Sequence, residues 1–369
     1  MKSILDVSNI VYGGYYGSPN YRMHGFPVGG IRKLLGIINA EIRNSEFALA
    51  FDGGATIKKE LLPQYKAGRV PNYAVMAQLD LMREILMDCN IPFYHQAEWE
   101  ADDVICSLVD TLAIVRDQDD IVIYSDDRDM ACCVSDTVSI RNVTTNGIRI
   151  NRNNFEQRVV SGEAIPFNTI LLHKMIYGDK SDNYSGVKVP GLRFEELAMA
   201  YINAVDDLIK SGQLLSTAYM NLEICEYVID NLDGNIGQEA KDALKAQAKI
   251  VFPQLVDVTT QDGGMDAFFA DIQQSGEPIF KVVKRHLKVF GYGDFDRARF
   301  DFYCSAFGLN RCRPDRYNST HIELSDKLNQ TLSLRAKDLA SGVMAVEKYQ
   351  KRKVVPSSAA PIANMQLPI

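Results

Sequence analysis

Residues 120–130 read DIVIYSDDRDM. The apolar run Ile121–Tyr124 is too short for a core helix and reads as a buried strand. It ends in a burst of acids, Asp126, Asp127 and Asp129, immediately after the strand-like segment. Working outward, similar runs occur at Ile4–Leu5, Phe47–Phe51 and Ile91–Tyr94, and the first two also end on an aspartate, Asp6 and Asp52. Amphipathic stretches separate them: Gly30–Asn39, Ala74–Met87 and Ala101–Ala113. In the last of these, Ala101, Val104, Ile105, Leu108 and Leu112 recur at helical spacing. Strands alternating with helices over the first 150 or so residues predict an α/β fold with a mainly parallel sheet flanked by helices.

Ligands of open parallel sheets bind at the carboxyl ends of the strands. The sheet would therefore bring Asp6, Asp52 and Asp127 to one rim. Singly, an aspartate after a strand is more often a helix cap or turn residue, so the argument rests on the coincidence of three. Residues 98–103, EWEADD, add Glu100, Asp102 and Asp103 at the start of a helix. Glu100 and Asp103 are three apart and share a face. The helix dipole favours one or two acids there. Adjacent carboxylates beside the other rim acids call for a cation, and Mg²⁺, an oxygen-ligand ion that retains water, is the natural one.

Further along, a helical run Thr169–Tyr177 meets a polar, glycine-bearing turn, Gly178–Gly191, and a second helix, Arg193–Ala204. Beyond 205 the sequence reads as mostly helical. An aromatic and basic segment at 279–303 is read as packing in a helical layer, with an extended nucleic-acid surface as the alternative. Residues 354–369, rich in Pro, Ala and Ser, read as a flexible tail.

These motifs, taken in order, resemble the 5′ nuclease and flap endonuclease family, which includes the 5′-nuclease domain of bacterial DNA polymerase I and free-standing phage enzymes. The matching pieces are ILDVSN, FDGG, QYKAGR, EWEADDV, SDDRDM and GDKSDNYSGVKVPG, spread over residues 4–204. The resemblance implies a PIN-like core (1–160) with a helical arch at about 58–97. It implies a helix–three-turn–helix duplex-binding element at 161–204, with 205–353 as a helical region of unassigned role. It places Asp6, Asp52, Glu100, Asp102 and Asp127 around a first metal and Asp129, Asp179 and Asp182 around a second, with Asp103 bridging or supporting the two. The Ser-x-Asp-x-Asp spacing selects Asp127 and Asp129 over Asp126. Lys66 and Arg69 would meet the scissile phosphate from one face of a helix and stabilise developing charge. Tyr65 could stack on a base. Lys174, Gly186, Gly191 and Arg193 would grip the duplex backbone. The implied cofactor is Mg²⁺, two or more, with Mn²⁺ as substitute. A K⁺ ion belongs at the turn in the family, but here Val189 and Pro190 stand in the usual glycine-rich pattern, and proline removes an amide donor.

The implied activity is 5′→3′ exonuclease and flap cleavage of DNA, or of RNA paired to DNA, near a free 5′ end, including removal of RNA primers. Partners would be replication proteins such as a sliding clamp or a single-strand-binding protein, with the chain itself a monomer. Two other readings stand beside this one: a non-catalytic DNA-binding member of the fold, and a PIN-type single-strand ribonuclease. No Ser-His-Asp or Cys-His arrangement offers a covalent route.

The bulk composition is compatible with this. Net charge is −7, unusual for a nucleic-acid binder. Setting aside the nine motif acids leaves 38 acids against 40 bases, a balance of +2. The odd count of seven cysteines, with no zinc-knuckle spacing, reads as core thiols in a reducing compartment. The first residues lack the apolar core of a signal peptide, and no run approaches membrane-spanning length. The expected place is the cytosol, that of a host if the chain is phage-encoded. The closing MQLPI loosely resembles a clamp tether.

Overall fold

The computed structural model describes residues 2–41, 46–114, 120–144, 147–155, 165, 169–211, 221–232, 235–291, 293–309 and 319–342. The tail at 354–369, its MQLPI end and the boundary at residue 160 lie outside the described residues.

The chain opens with β1 (Lys2–Asp6) and α1 (Val7–Gly17), a short hairpin of β2 (Arg22–Met23) and β3 (Phe26–Pro27), and α2 (Gly29–Glu41). Next come β4 (Glu46–Ala50), α3 (Thr56–Leu61), α4 (Tyr73–Asp88), α5 (Ala101–Ile114) and β5 (Ile121–Tyr124). A 3₁₀ helix, Arg128–Cys133, leads to β6 (Val138–Arg141) and β7 (Arg149–Ile150). The main sheet has the order β4-β1-β5-β6-β7. Its first four strands run parallel, and β7 is antiparallel to β6.

All five residues of β1 and all four of β5 are buried, as befits parallel strands covered on both faces. Alternation then sorts side chains to opposite sides. Ile4, Ile121 and Ile123 join one core with Val104, Ile105, Leu108 and Leu112 of α5. Leu5, Val122 and Tyr124 join the other with α1, α2 and α4. Fully burying one such aliphatic side chain contributes about 1.5–3 kcal/mol, so the alternating pattern fixes which face each helix covers.

The remainder of the described chain wraps this centre. Helix α6 (Ile170–Tyr177) is followed by a two-stranded ribbon, β8 (Gly178–Asp179) with β9 (Tyr184–Ser185), and by α7 (Phe194–Lys210). Then come α8 (Leu222–Asp230), α9 (Gln238–Val251), α10 (Gly264–Gln274) and α11 (Ile279–His286), whose buried residues extend the core on the α5 side. Helices α12 (Arg297–Ala306) and α13 (Ser319–Ala340) close the other side through Phe300, Phe302, Phe307, Leu328 and Leu332. The aromatic-basic segment at 279–303 therefore packs, as read from its apolar spacing. Phe290 lies along β4, exchanging two backbone hydrogen bonds with Phe47 at 2.8 and 3.0 Å.

Two expectations need correction. The run Ile91–Tyr94 is no strand: only Tyr94 bridges to Ala50. Asn90 leaves α4 with a left-handed φ of 55°, and Pro92 has no amide to offer a neighbour. The segment at 58–97 is not arched over the site along its whole length. Val75, Leu81, Met82 and Ile85 of α4 are buried against the sheet's helices, and it is Lys58, Tyr65, Lys66 and Arg69, ahead of α4, that contact the acids.

Candidate metal centre and substrate surface

The rim forms where strand ends meet helix starts. Asp6 is the last residue of β1 and caps α1, its Oδ1 accepting from the Asn9 N–H at 3.0 Å. Its Oδ2 accepts from Ser125 Oγ at 2.7 Å. Asp52, beyond β4, accepts from the Ala101 N–H at 2.8 Å and so caps α5 from a distant strand. That closure needs Gly53: a Cβ there would stand 1.5 Å from the Gln96 carbonyl oxygen. The Gly53 and Gly54 amides both donate to the Trp99 carbonyl, at 3.0 and 3.1 Å. Asp127 caps the 3₁₀ helix, accepting from the Asp129 N–H at 2.9 Å. All three aspartates thus act as helix caps at the rim.

Asp126 turns away. Its Oδ1 accepts from the amides of Val143 and Thr144 and from Asn142 Nδ2. Asp127 and Asp129, by contrast, face the other rim acids.

Electrostatics show how tightly the acids crowd. Burial, then Asp52, and further Asp127, push Asp6 up to about 8. Burial, then Asp127, Glu100 and Asp6, raise Asp102 well above the ordinary carboxylate range. Each charge makes its neighbours harder to ionise.

Basic side chains offset part of this. Lys58, unassigned by sequence reasoning, is 5 % exposed. Its Nζ lies 2.9 Å from Glu100 Oε2 and 3.4 Å from Asp103 Oδ1. Its position two residues into α3, ahead of QYKAGR, carried no sequence signal of burial. Lys66 pairs with the other oxygen of Glu100, and the Tyr65 hydroxyl donates to Glu100 Oε2 at 3.0 Å. Burial would raise Glu100, but Lys58 and Lys66 overcome it and hold the carboxyl down at about 2. Asp103 is spoken for: Oδ1 accepts from the Gln254 N–H at 2.9 Å and Oδ2 from the Glu100 N–H at 3.2 Å. These bonds tie the rim to the chain after α9.

The second group gathers from three places. One oxygen each of Asp129, Asp179 and Asp182 lie within 4.8 Å of one another. Lys174 of α6 pairs with both Asp129 and Asp179, the latter at 2.5 Å. Burial and Asp127 raise Asp129 to about 6 even with Lys174 beside it. Asp179 also accepts from the Ser181 N–H and Oγ, at 2.7 and 2.6 Å. Asp182 pairs with Arg69, and its Oδ2 lies 3.2 Å from the Tyr65 hydroxyl oxygen. A small cavity of about 10 Å³, lined in part by Lys58, Tyr65, Asp102, Asp129 and Asp182, lies between the two groups.

The substrate-facing expectations fare unevenly. Lys66 and Arg69 do approach the acids, but from a turn: Lys66 has a left-handed φ of 53°, and its N–H donates to the Asp182 carbonyl at 2.8 Å. Helical spacing does not relate them. Tyr65 is buried, with its ring stacked on Tyr184 at 6.4 Å, leaving no open face for a base. Lys174 faces carboxylates instead of solvent. Arg193 is exposed at the start of α7, paired only loosely with Glu195 at 3.5 Å. Gly186 is required by close approach, since a Cβ would meet the Ile176 carbonyl oxygen at 2.0 Å, and Gly191 adopts a φ of 82°.

A parallel sheet that delivers carboxylates from three strand ends and two helix starts to one rim defines an α/β protein with an acidic candidate metal site. Residues 2–160 match the family described as 5′-3′ exonuclease, N-terminal resolvase-like domain. The chain is 27 % identical over 301 residues to DNA polymerase I of Bacillus caldotenax, covering 79 % of this chain and 31 % of the polymerase. It thus spans under a third of that relative's length. It is 28 % identical over 218 residues to a 5′-3′ exonuclease of Aquifex aeolicus, covering 57 % of this chain and 72 % of that protein. Among solved structures, the T5 D15 protein co-crystallised with metal ions aligns with a TM-score of 0.44 and 16 % identity, covering 83 % of this chain and 97 % of that one. Among the described residues no helix is long and apolar enough to cross a membrane.

Proposed function

We propose that the protein is a divalent-metal-dependent 5′ nuclease, acting as 5′→3′ exonuclease and flap endonuclease on DNA or on RNA paired to DNA. The observation that carries this reading is the convergence of Asp6, Asp52, Glu100, Asp102 and Asp127 from β1, β4, α5 and β5, beside the triad Asp129, Asp179 and Asp182. The match of residues 2–160 to the 5′-3′ exonuclease family supports it. The names of relatives in Bacillus caldotenax and Aquifex aeolicus agree.

The donor set fits a hard cation: every side-chain donor is a carboxylate oxygen, and burial followed by mutual repulsion raises Asp6 and Asp102. Mg²⁺ is the natural occupant and Mn²⁺ its substitute. Bound there, such ions supply a hydroxide-like nucleophile and neutralise charge on the attacking and leaving oxygens. The chain's own groups do the rest. Carboxylates capped by backbone amides are held in fixed rotamers, and Ser125 orients Asp6. Lys66 and Arg69, now paired with Glu100 and Asp182, are placed to exchange those partners for oxygens of an entering phosphate and to stabilise its charge.

Duplex binding falls to α6, the β8–β9 ribbon and α7, with exposed Arg193 as the phosphate contact. The K⁺ of the resemblance has less to hold it, because Pro190 removes one amide from the turn. Sliding clamp and single-strand-binding protein remain proposed partners, the chain a proposed monomer, and the cytosol its proposed place.

The test is cleavage of 5′-flap, nicked, blunt and RNA–DNA hybrid substrates, with and without Mg²⁺, for the parent and Asp127→Asn. The parent is expected to release short 5′ products only with the metal. The variant should bind DNA but not cut it. Near-normal turnover by Asp127→Asn at saturating Mg²⁺ would remove that residue from the chemistry.

A further inference from the structure

We propose that Cys106, Cys132 and Cys133 form a second kind of metal site, one that takes a single thiophilic cation of the zinc, cadmium or copper(I) class. The three thiols come from α5 and from the end of the 3₁₀ helix, and all are fully buried and unoxidised. Their sulfurs form a closed triangle with edges of 3.2 Å (106–133), 3.8 Å (132–133) and 3.9 Å (106–132).

Those lengths are informative. A disulfide needs sulfurs about 2.05 Å apart, far shorter than any of the three. In a tetrahedral thiolate site the metal–sulfur distance of about 2.3 Å places neighbouring sulfurs about 3.8 Å apart. Two edges already have that length. The third must open by roughly 0.6 Å, within reach of a small side-chain rotation in well-packed surroundings. Three convergent sulfurs also make a ligand set that hard ions avoid and soft ions prefer. The site therefore sorts cations differently from the carboxylate rim only a helical turn away.

The placement gives the site a consequence. Cys106 lies four residues after Asp102 on α5, and Cys132 lies three after Asp129. A cation held by all three sulfurs would join the two segments that carry most of the rim acids. On binding, up to three S–H bonds break, as many sulfur–metal bonds form, and the protons pass to the buffer. No oxidant or reductant is involved. This inference does not rest on the nuclease reading.

The experiment uses full-length, reduced, metal-free protein titrated with Cd²⁺ in a large excess of Mg²⁺, which keeps the carboxylates occupied. Thiolate-to-cadmium ultraviolet absorption, proton release and thermal melting are read together. The expected result is an absorption that saturates at one equivalent, accompanied by proton release and a higher melting temperature. Cys106→Ala and Cys133→Ala, made separately so that one folded variant suffices, should each lose at least a third of the absorption. Cys304→Ala, a buried thiol on the opposite face of the sheet, should titrate like the parent. Absence of thiolate absorption at one equivalent in the folded parent would overturn the proposal. So would undiminished absorption in a folded Cys106→Ala or Cys133→Ala variant.

Discussion

Replacing Lys58 by methionine tests how the acidic rim is held together before any ion or substrate arrives. The side chain is almost wholly buried, with its ammonium between Glu100 and Asp103. Methionine fills similar space without charge and leaves two buried carboxylates short of a partner. Removing one member of a buried pair costs about 3–5 kcal/mol, because the remaining charge is uncompensated. At roughly 2 °C per kcal/mol for a domain of this size, melting should fall by roughly 6–10 °C. The measurement is urea unfolding at neutral pH, backed by calorimetry.

The acid limb supplies a second check. Glu100 is held at about 2, below its ordinary 4.5, against the effect of burial and because of Lys58 and Lys66. A depressed carboxyl stabilises the fold above its unfolded value and loses that contribution as pH falls towards its folded one. The penalty of the substitution should therefore be largest near neutrality and shrink below about pH 4.5. Glu100→Gln added to the methionine variant should recover part of the loss. A penalty under about 1 kcal/mol at pH 7, the scale of an exposed ion pair, would refute the reasoning.

Lys66→Ala should lower turnover more than affinity, since its contact with phosphate is expected to strengthen as charge develops; single-turnover and binding assays separate the two, and a pure loss of affinity would contradict the assignment. Arg193→Ala should reduce the log–log salt slope of duplex binding by about one unit, whereas Lys174→Ala, which removes the cation paired with Asp129 and Asp179, should instead tighten Mg²⁺ binding and leave the slope alone. A slope change from Lys174→Ala with none from Arg193→Ala would reverse their roles. Asp6, raised to about 8 by burial and by Asp52, stabilises the metal-free fold only while protonated. That contribution is full below the ordinary carboxyl value and lost as pH rises through about 8. Metal-free protein should thus melt lower at pH 8.5 than at pH 6, and Mg²⁺ should reverse the order.

Much of this was legible because burial and chemistry left periodic marks. The runs at Ile4, Phe47 and Ile121 alternate between two cores, and acids at their ends can only lie on one rim. What escaped notice lacked such a mark. Lys58 looks like any surface lysine, since its burial depends on Glu100 and Asp103, more than forty residues on. Tyr65-Lys66-x-x-Arg69 fits a helix by spacing, yet the backbone turns at Lys66, where Asp182 accepts its amide. The run at 91–94 is apolar enough for a strand, but a left-handed Asn90 and an amide-less Pro92 limit it to one bridge. The pairing of Lys174 with Asp129 and Asp179 leaves no mark in the sequence, because the three come together only in the fold.

The bridge between Phe47 and Phe290 bears on how the protein is made. β4 is the outer strand of the sheet, and Phe290 is what covers part of its free side. An uncovered strand edge invites pairing with another chain. A ribosome adding 5–20 residues per second takes roughly 10–50 s to travel from the end of β4 to Phe290. Throughout that interval the nascent sheet shows an open border at Phe47, Tyr94 covering only the Leu49–Ala50 end of the strand. Crowded polysomes, where several such borders emerge close together, are therefore where aggregation should start. Slowing elongation between β4 and Phe290 should increase the insoluble fraction, and overproducing a holdase chaperone should lower it.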